Sequence, residues 1–223
     1  MARFQRLETY DAMLSSGLVP IFYNGDVQVA EAVVRACVAG RTRVVELTNR
    51  GDHALKVFTH LSEYLEAARS PVILGAGSII DAPTAALFIA HGANFIVSPN
   101  FNPEVARLCN RRKIPYLPGC ATVSEISNAE EMGVEIVKIF PGETIGGPAF
   151  IKALLGPMPW TRIMPTGGVD PAREDVSRWI KAGAACLGMG SNLIRKDWVS
   201  SGQFDLISEQ VEKVLQYVQD ARK

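Results

Sequence analysis

The sequence has few of the residues that bind metal ions or form disulfides. Its 223 residues include four cysteines with no CxxC pair and three histidines with neither an HxH nor an HExxH pattern. Zinc sites depend on such spacings, so we predict no metal ion and disfavour a zinc-dependent mechanism. Apolar surroundings indicate free thiols in a reducing cytoplasm for all four cysteines, which are Cys37, Cys109, Cys120 and Cys186.

Neither an excess of one charge nor a long apolar run is present. The 23 basic residues balance the 23 acidic ones, which gives no indication of a nucleic-acid-binding surface. No apolar run reaches the roughly 18 residues of a membrane span, so no membrane partner is predicted. Residues 1–16 lack the apolar core of a signal peptide and are predicted to form a short amphipathic helix. Because no proline-, glycine- or serine-rich linker divides the chain, residues 1–223 are predicted to form a single domain.

Short apolar segments alternate with segments of helical periodicity. Eight runs of strand length lie at 18–24, 43–49, 71–77, 94–99, 114–119, 135–141, 162–168 and 185–191. Helical patterns follow near 27–39, 52–69, 81–91, 102–112, 122–131, 147–155, 173–182 and 205–220. Continuous apolar runs favour parallel strands that are covered on both faces. Eight such units predict an α/β fold, a (β/α)₈ TIM barrel with an extra N-terminal helix. A doubly wound open sheet is the alternative, because periodicity does not show closure.

Lys138 is the charged residue that fits its surroundings least. It lies within residues 135–140, with two apolar residues on either side. Lysine is rarely buried unless it is paired or functional, and burial lowers the pKa of its amine. A neutral amine can attack a ketone and form a Schiff base. The alternative is a structural lysine that reaches the barrel rim or neutralises a buried carboxylate.

Glu46 interrupts a second apolar run. Strand side chains alternate, so Glu46, Thr48 and Arg50 are predicted to share one face. Arg50 can bind a carboxylate through two hydrogen bonds, and Glu46 can transfer protons if a dry site raises its pKa. Since the second and sixth strands of a barrel lie opposite each other, Glu46 and Lys138 are predicted to meet above the core. The alternative is an internal Glu46–Arg50 salt bridge without chemistry.

Glycine-rich segments lie at the carboxyl ends of the seventh and eighth predicted strands. They are Thr166–Val169 and Gly188–Ser191. In barrels, the loops at these two places often hold a phosphate group, because glycine lets backbone N–H groups approach an anion. Each segment alone is a weak signal, but together they predict a phosphate site.

Together these segments resemble the 2-keto-3-deoxy-6-phosphogluconate (KDPG)/4-hydroxy-2-oxoglutarate (KHG) aldolase family, from about Gly17 to Leu193. The resemblance is carried by VVELTNR (44–50), GAGS (75–78), VSP (97–99), PGCATVSE (118–125), VKIFPGE (137–143), PTGGV (165–169) and GMGS (188–191). Their order and spacing make the combination specific, whereas no single segment would be.

The resemblance implies a class I aldolase, a lyase that usually forms a homotrimer and needs no metal or organic cofactor. It implies that Lys138 forms the Schiff base and that Glu46 is the general acid/base. The implied substrate is a small phosphorylated keto acid, KDPG, cleaved to pyruvate and glyceraldehyde 3-phosphate, with KHG, cleaved to pyruvate and glyoxylate, as a second candidate. Substrate-binding roles are predicted for Arg50 and Ser78 at the carboxylate, Pro99 and Phe140 at the pyruvyl group, and Thr166, Gly167, Gly168, Gly190 and Ser191 at the phosphate.

The sequence departs from the family pattern at three places and leaves other functions open. Ser78 stands where the family commonly has threonine, and the segments 99–102 and 141–147 are atypical. These departures leave the configuration of the substrate at C4 undecided. Two other functions remain as alternatives, a phosphosugar isomerase or epimerase and a non-catalytic phosphometabolite-binding barrel.

Overall fold

The computed structural model describes residues 2–223, in which strands and helices alternate along the chain. The strands are β1 (Leu18–Phe22), β2 (Val44–Thr48), β3 (Ile73–Gly77), β4 (Ile96–Val97), β5 (Tyr116–Leu117), β6 (Gly119–Cys120), β7 (Val137–Ile139), β8 (Ile163–Pro165) and β9 (Leu187–Met189). The helices are α1 (Arg6–Ser16), α2 (Val27–Ala39), α3 (Ala54–Ala67), α4 (Ala82–Ala90), α5 (Pro103–Arg112), α6 (Val123–Glu131), α7 (Gly147–Leu155), α8 (Arg173–Lys181), α9 (Lys196–Ser200) and α10 (Phe204–Ala221).

Polar side chains fix where several helices begin. Asp26 precedes α2 and accepts hydrogen bonds from the backbone N–H groups of Gln28 and Val29, at 2.8 and 3.0 Å. Thr122 and Glu125 form a capping box at the start of α6. Such caps satisfy N–H groups that have no partner in the first helical turn. They therefore limit the length of the loops between the carboxyl ends of the strands and the helices.

The strands pair in parallel within a curled sheet. Six are hydrogen-bonded in the order β5-β4-β3-β2-β1-β9, and three in the order β6-β7-β8. Isolated parallel bridges join Ile163 to Ala184 and Thr166 to Gly188, between the β8 and β9 regions. The strand predicted within 114–119 is instead two short strands, β5 and β6, on either side of Pro118. Proline has no N–H group to donate to a strand ladder, which accounts for this correction.

Buried apolar side chains form two clusters on the two faces of the sheet. The outer cluster lies between strands and helices and includes Val45, Leu47, Val137 and Ile139. Because strand side chains alternate, the residues between these positions face the other way. The inner cluster contains Val19, Ile21, Val44, Ile73, Phe95, Val97, Leu117, Ile136, Met164 and Cys186, together with Tyr10, Ala12 and Met13 of α1.

Two helices add to this arrangement in different ways. The predicted N-terminal helix forms as α1 and contributes to the inner cluster. Helix α9 was not predicted, because its five residues are too few to show a helical period. None of the helices within residues 2–223 combines the length and the apolar character needed to cross a bilayer.

Candidate active site

Lys138 is buried on the inner face of the sheet. It lies in β7 between Val137 and Ile139, whose side chains belong to the outer cluster, and it follows the inward-facing Ile136. The residue is only 6% exposed, and its Nζ atom lies 4.9 Å from the centroid of the Phe140 ring. Within the described part of the chain, the amine forms no salt bridge. The structure therefore holds a buried lysine amine against an aromatic ring, without a salt-bridge partner among the described residues.

Glu46 is buried on the same inner face, in β2. The residue is 1% exposed, and its Oε2 atom has no hydrogen-bond partner among residues 2–223. The carboxyl group lies over Gly77 of β3, where a side chain of any size would collide with it. Glycine at position 77 thus makes the room that Glu46 occupies.

Burial shifts the pKa of Lys138 and of Glu46 in the direction that favours the neutral form of each. Burial raises the pKa of Glu46, against the opposing effect of the positive charges of Lys138 and Arg50. It also lowers the pKa of Lys138, an effect opposed by the charge of Glu46 and reinforced by that of Arg50. Desolvation penalises the charged form of each group. The arrangement therefore favours a nucleophilic amine next to a carboxyl group that can give and take a proton.

Arg50 extends the line of polar groups beyond the end of β2. The strand ends at Thr48, whose hydroxyl donates to the carbonyl oxygen of Phe22 at 3.3 Å. Arg50 lies in the following loop, and its backbone N–H donates to the carbonyl oxygen of Thr48 at 2.9 Å. Its guanidinium is close enough to affect the pKa values of Glu46 and Lys138. A carboxylate bound by Arg50 would lie close to both groups.

A cavity of about 740 Å³ lies at the carboxyl ends of the strands. Loops after β1, β2, β7, β8 and β9 contribute to its wall. Seven of the residues predicted for the site lie in this wall, namely Arg50, Phe140, Thr166, Gly167, Gly168, Gly190 and Ser191.

The other four predicted residues are not part of this wall; they are Glu46, Ser78, Pro99 and Lys138. Lys138 approaches the cavity through its contact with Phe140. Ser78 directly follows Gly77, and its φ of 57° is left-handed, a conformation that is uncommon for serine. Pro99 packs its carbonyl group closely against Gly119, which pairs with Lys138 in the sheet register.

The predicted phosphate segments lie side by side. Thr166 is bridged to Gly188, and the hydroxyl of Thr166 is buried without a hydrogen-bond partner among the described residues. Gly167 and Gly168 have φ values of 88° and 87°. These left-handed conformations favour glycine. The segments thus bring backbone N–H groups and an unpaired hydroxyl to one end of the cavity.

Comparison with known proteins decides between the functions that this geometry allows. The sequence pattern of the aldolase family described as KDPG and KHG aldolase matches residues 10–210. The chain belongs to this family. Its members are aldolases, which are lyases, so the aldolase interpretation is confirmed over the isomerase and the non-catalytic alternatives.

Individual relatives cover nearly the whole aldolase chain. It is 31% identical to 2-dehydro-3-deoxy-phosphogluconate aldolase of Treponema pallidum, over 94% of this chain and 97% of the relative. It is 30% identical to the KHG/KDPG aldolase of Escherichia coli K12, over 89% and 91% of the two chains. The KDPG aldolase of Legionella pneumophila, with pyruvate captured as a covalent carbinolamine, superimposes with a TM-score of 0.83 at 28% identity, covering 91% and 96%.

The structure adds cavity residues to this aldolase that the sequence motifs did not predict. Tyr23 and Asn24 follow β1, and Asn192 and Lys196 follow β9. Tyr23 and Asn24 are the last two residues of the first predicted apolar run, and the carboxyl end of a strand was a usable signal in a parallel sheet. Lys196 lies beyond the last glycine motif in a segment without any pattern, so the sequence offered no signal for it.

The atypical loop 141–147 is attached to α8 instead of entering the cavity wall. Glu143 forms an ion pair with Arg178 at 3.0 Å, with both side chains nearly half exposed.

Within residues 2–223, no cluster of three or more His, Cys, Asp or Glu side chains is arranged to hold a metal ion.

Proposed function

We propose that this aldolase cleaves KDPG to pyruvate and glyceraldehyde 3-phosphate through a Schiff base on Lys138, and that it also cleaves KHG to pyruvate and glyoxylate. The observation that carries the proposal is the buried Lys138 amine, which has a lowered pKa, no ion-pair partner and Glu46 on the same inner face. The names of the T. pallidum and E. coli relatives support these two substrates.

The proposed mechanism begins with attack of the neutral Lys138 amine on the C2 ketone. The carbonyl oxygen takes up a proton supplied through Glu46 to give a carbinolamine, and loss of water gives the protonated imine. Glu46, directly or through a water molecule, then removes the proton of the C4 hydroxyl. The C3–C4 bond breaks, the aldehyde leaves, and the electron pair moves into the enamine. Protonation at C3 and hydrolysis of the imine release pyruvate and return the amine.

The binding groups in this proposal divide by the part of the substrate they contact. Arg50 and Ser78 hold the carboxylate, since a guanidinium can bind it with two hydrogen bonds. Pro99 and Phe140 contact the pyruvyl group. The phosphate binds at Thr166, Gly167, Gly168, Gly190 and Ser191, where backbone N–H groups and free hydroxyls meet.

Borohydride reduction in the presence of pyruvate tests the Schiff base directly. We expect one reduced adduct, located on Lys138 by peptide mass mapping, and no adduct in the Lys138→Arg variant. Lys152→Arg is the matched control, because Lys152 lies exposed on α7. An adduct on another lysine, or normal turnover by a folded Lys138→Ala protein, would refute the mechanism.

Pyruvate release from a panel of keto acids identifies the substrate. The panel contains KDPG, its C4 epimer of the galactonate series, and unphosphorylated KHG. Orientation at C4 depends on loop groups to within about an ångström, so we expect a preference of at least tenfold for one C4 epimer. A protein that forms the adduct but releases pyruvate from none of these would exclude the proposed substrates.

We propose further that residues 1–223 form one domain with a closed (β/α)₈ barrel. Support comes from the isolated bridges between the β8 and β9 regions and from the fifth strand region, which continues from β5 into β6 across Pro118. The separate inner cluster of apolar side chains is the core that such closure requires. Strong hydrogen-exchange protection at β6, β8 and β9 is the expected result.

We also propose a homotrimer in the cytoplasm. The trimer rests on the family resemblance, and the location on four buried, free cysteines. Sedimentation equilibrium should give three times the chain mass of 24.2 kDa. A monomeric mass at micromolar concentration would exclude the trimer.

A further inference from the structure

The charges in the cavity wall are all of one sign. Arg50 and Lys196 are the charged residues in the wall, and no aspartate or glutamate of residues 2–223 contributes to it. A cavity whose only charged side chains are cationic attracts anionic ligands. The two cationic side chains also come from loops that follow different strands. Arg50 follows β2 and Lys196 follows β9, and these two strands flank β1 in the sheet. The cavity therefore has two separate positive groups, which suits a ligand with two anionic groups.

Lys196 forms no ion pair with the acidic residues near it. Its sequence neighbour Asp197 accepts hydrogen bonds from Nε and Nη2 of Arg195, at 3.0 and 2.8 Å. Asp170 lines the same small neighbouring cavity as Lys196, but the two residues form no salt bridge. Within the described residues Lys196 forms no salt bridge. Its ammonium group is available to a ligand.

The position of Lys196 places this free charge at the predicted phosphate end of the cavity. It lines the cavity together with Gly190, Ser191 and Asn192 of the loop after β9. Backbone N–H groups at glycines carry only partial charges, so a cradle made of glycines alone leaves most of a phosphate dianion uncompensated. An ammonium group suits a phosphate as a point charge, whereas the planar guanidinium of Arg50 suits a carboxylate.

We infer that Lys196 binds the phosphate group of the substrate and sets the preference of the enzyme for phosphorylated over unphosphorylated keto acids. The inference rests on the proposed function and adds to it a residue outside the family motifs. It defines the preferred substrate class as keto acids with a carboxylate at one end and a phosphate at the other.

Steady-state kinetics of Lys196→Gln with KDPG and with KHG test the inference. One charge-assisted hydrogen bond lost from a binding site corresponds to a change on the order of 10- to 100-fold. We expect kcat/KM for KDPG to fall by this factor, mainly through KM, and the KDPG/KHG ratio of kcat/KM to fall by at least tenfold. Lys196→Arg, which keeps the charge, should restore most of this ratio.

The matched control is Lys181→Gln. It removes one positive charge from an exposed lysine of α8 that lines neither the large nor the small cavity. We expect this variant to keep the wild-type ratio. Equal losses for KDPG and KHG in Lys196→Gln, or the same loss of ratio in Lys181→Gln, would overturn the inference.

Binding of inorganic phosphate separates this inference from the proposed function. Calorimetry of the unmodified protein should detect phosphate binding that weakens at least tenfold in Lys196→Gln and persists in Lys181→Gln. This readout needs no turnover. If the enzyme released pyruvate from neither keto acid, the proposed function would fail, yet the selective loss of phosphate binding would still support Lys196. Unchanged phosphate affinity in Lys196→Gln would count against Lys196 whatever the turnover.

Discussion

Substitution of Gly77 by alanine should displace Glu46 without breaking the backbone. A Cβ atom built at position 77 would lie 1.7 Å from Oε1 of Glu46 and 2.5 Å from its Cδ. Gly77 is not among the glycines with a positive φ, so alanine can adopt its backbone conformation without strain. The steric clash therefore displaces the carboxyl group of Glu46 and leaves the backbone of β3 in place.

The size of the displacement sets the expected loss of activity. Ordinary van der Waals contact begins at 3.4 Å. The Oε1 atom of Glu46 must therefore move about 1.7 Å away from the new Cβ atom, from 1.7 Å to 3.4 Å. Misplacement of a reacting group by about 1 Å can cost roughly 10²-fold, and complete loss of a general acid/base costs about 10²- to 10⁴-fold. We expect kcat/KM for KDPG to fall within this range.

A coupled assay of pyruvate release measures the effect, with thermal unfolding recorded for each protein. Gly156→Ala is the control, because a Cβ atom there meets no atom closer than 3.4 Å and the residue lies outside the site. Both variants should remain folded, and only Gly77→Ala should lose activity. A folded Gly77→Ala enzyme with near-wild-type kcat/KM would show that the position of Glu46 does not matter for turnover.

Two further predictions concern the buried pair. Glu46→Gln keeps the shape but removes proton transfer, so turnover should fall about 10²- to 10⁴-fold while borohydride still traps pyruvate on Lys138; wild-type rates would remove Glu46 from the mechanism. Because burial lowers the pKa of Lys138, the native state binds fewer protons than the unfolded state between this lowered pKa and the unfolded value of about 10.4. The free energy of unfolding therefore gains a positive contribution as pH rises through this window. Relative to wild type, Lys138→Met should lose this contribution in chemical denaturation measured across the window, and identical pH dependences would contradict the assigned shift.

The sequence predicted those features that depend on local patterns. The bounds 27–39 and 147–155 predicted for two helices are those of α2 and α7, because helical periodicity and capping are local. Lys138 and Glu46 could be singled out because a charge inside an apolar strand is costly unless it has a function. Their burial depends on the face of the sheet to which each side chain points, and the alternation of side chains along a strand specifies that face.

Features that depend on the path of a loop escaped prediction. Lys196 belongs to a five-residue helix, and its position in the cavity wall results from how that helix packs. The interruption of the fifth strand had a visible cause, Pro118, but the apolar run around it concealed the effect. Ser78 and Pro99 were predicted to bind substrate but do not line the cavity; which loop residues line a cavity depends on loop geometry at a scale of a few ångströms, which residue patterns do not encode.

Helix α1 connects the start of the chain to the reactivity of an amine far along it. Tyr10, Ala12 and Met13 belong to the inner apolar cluster, on the face of the sheet that carries Lys138, and contribute no group to the cavity wall. Deleting this helix would expose that cluster to water, and hydration of the Lys138 amine would favour its charged form. The helix thus helps to keep the Lys138 amine neutral. Its removal would lower the nucleophilicity of this amine even in molecules whose strands stayed paired.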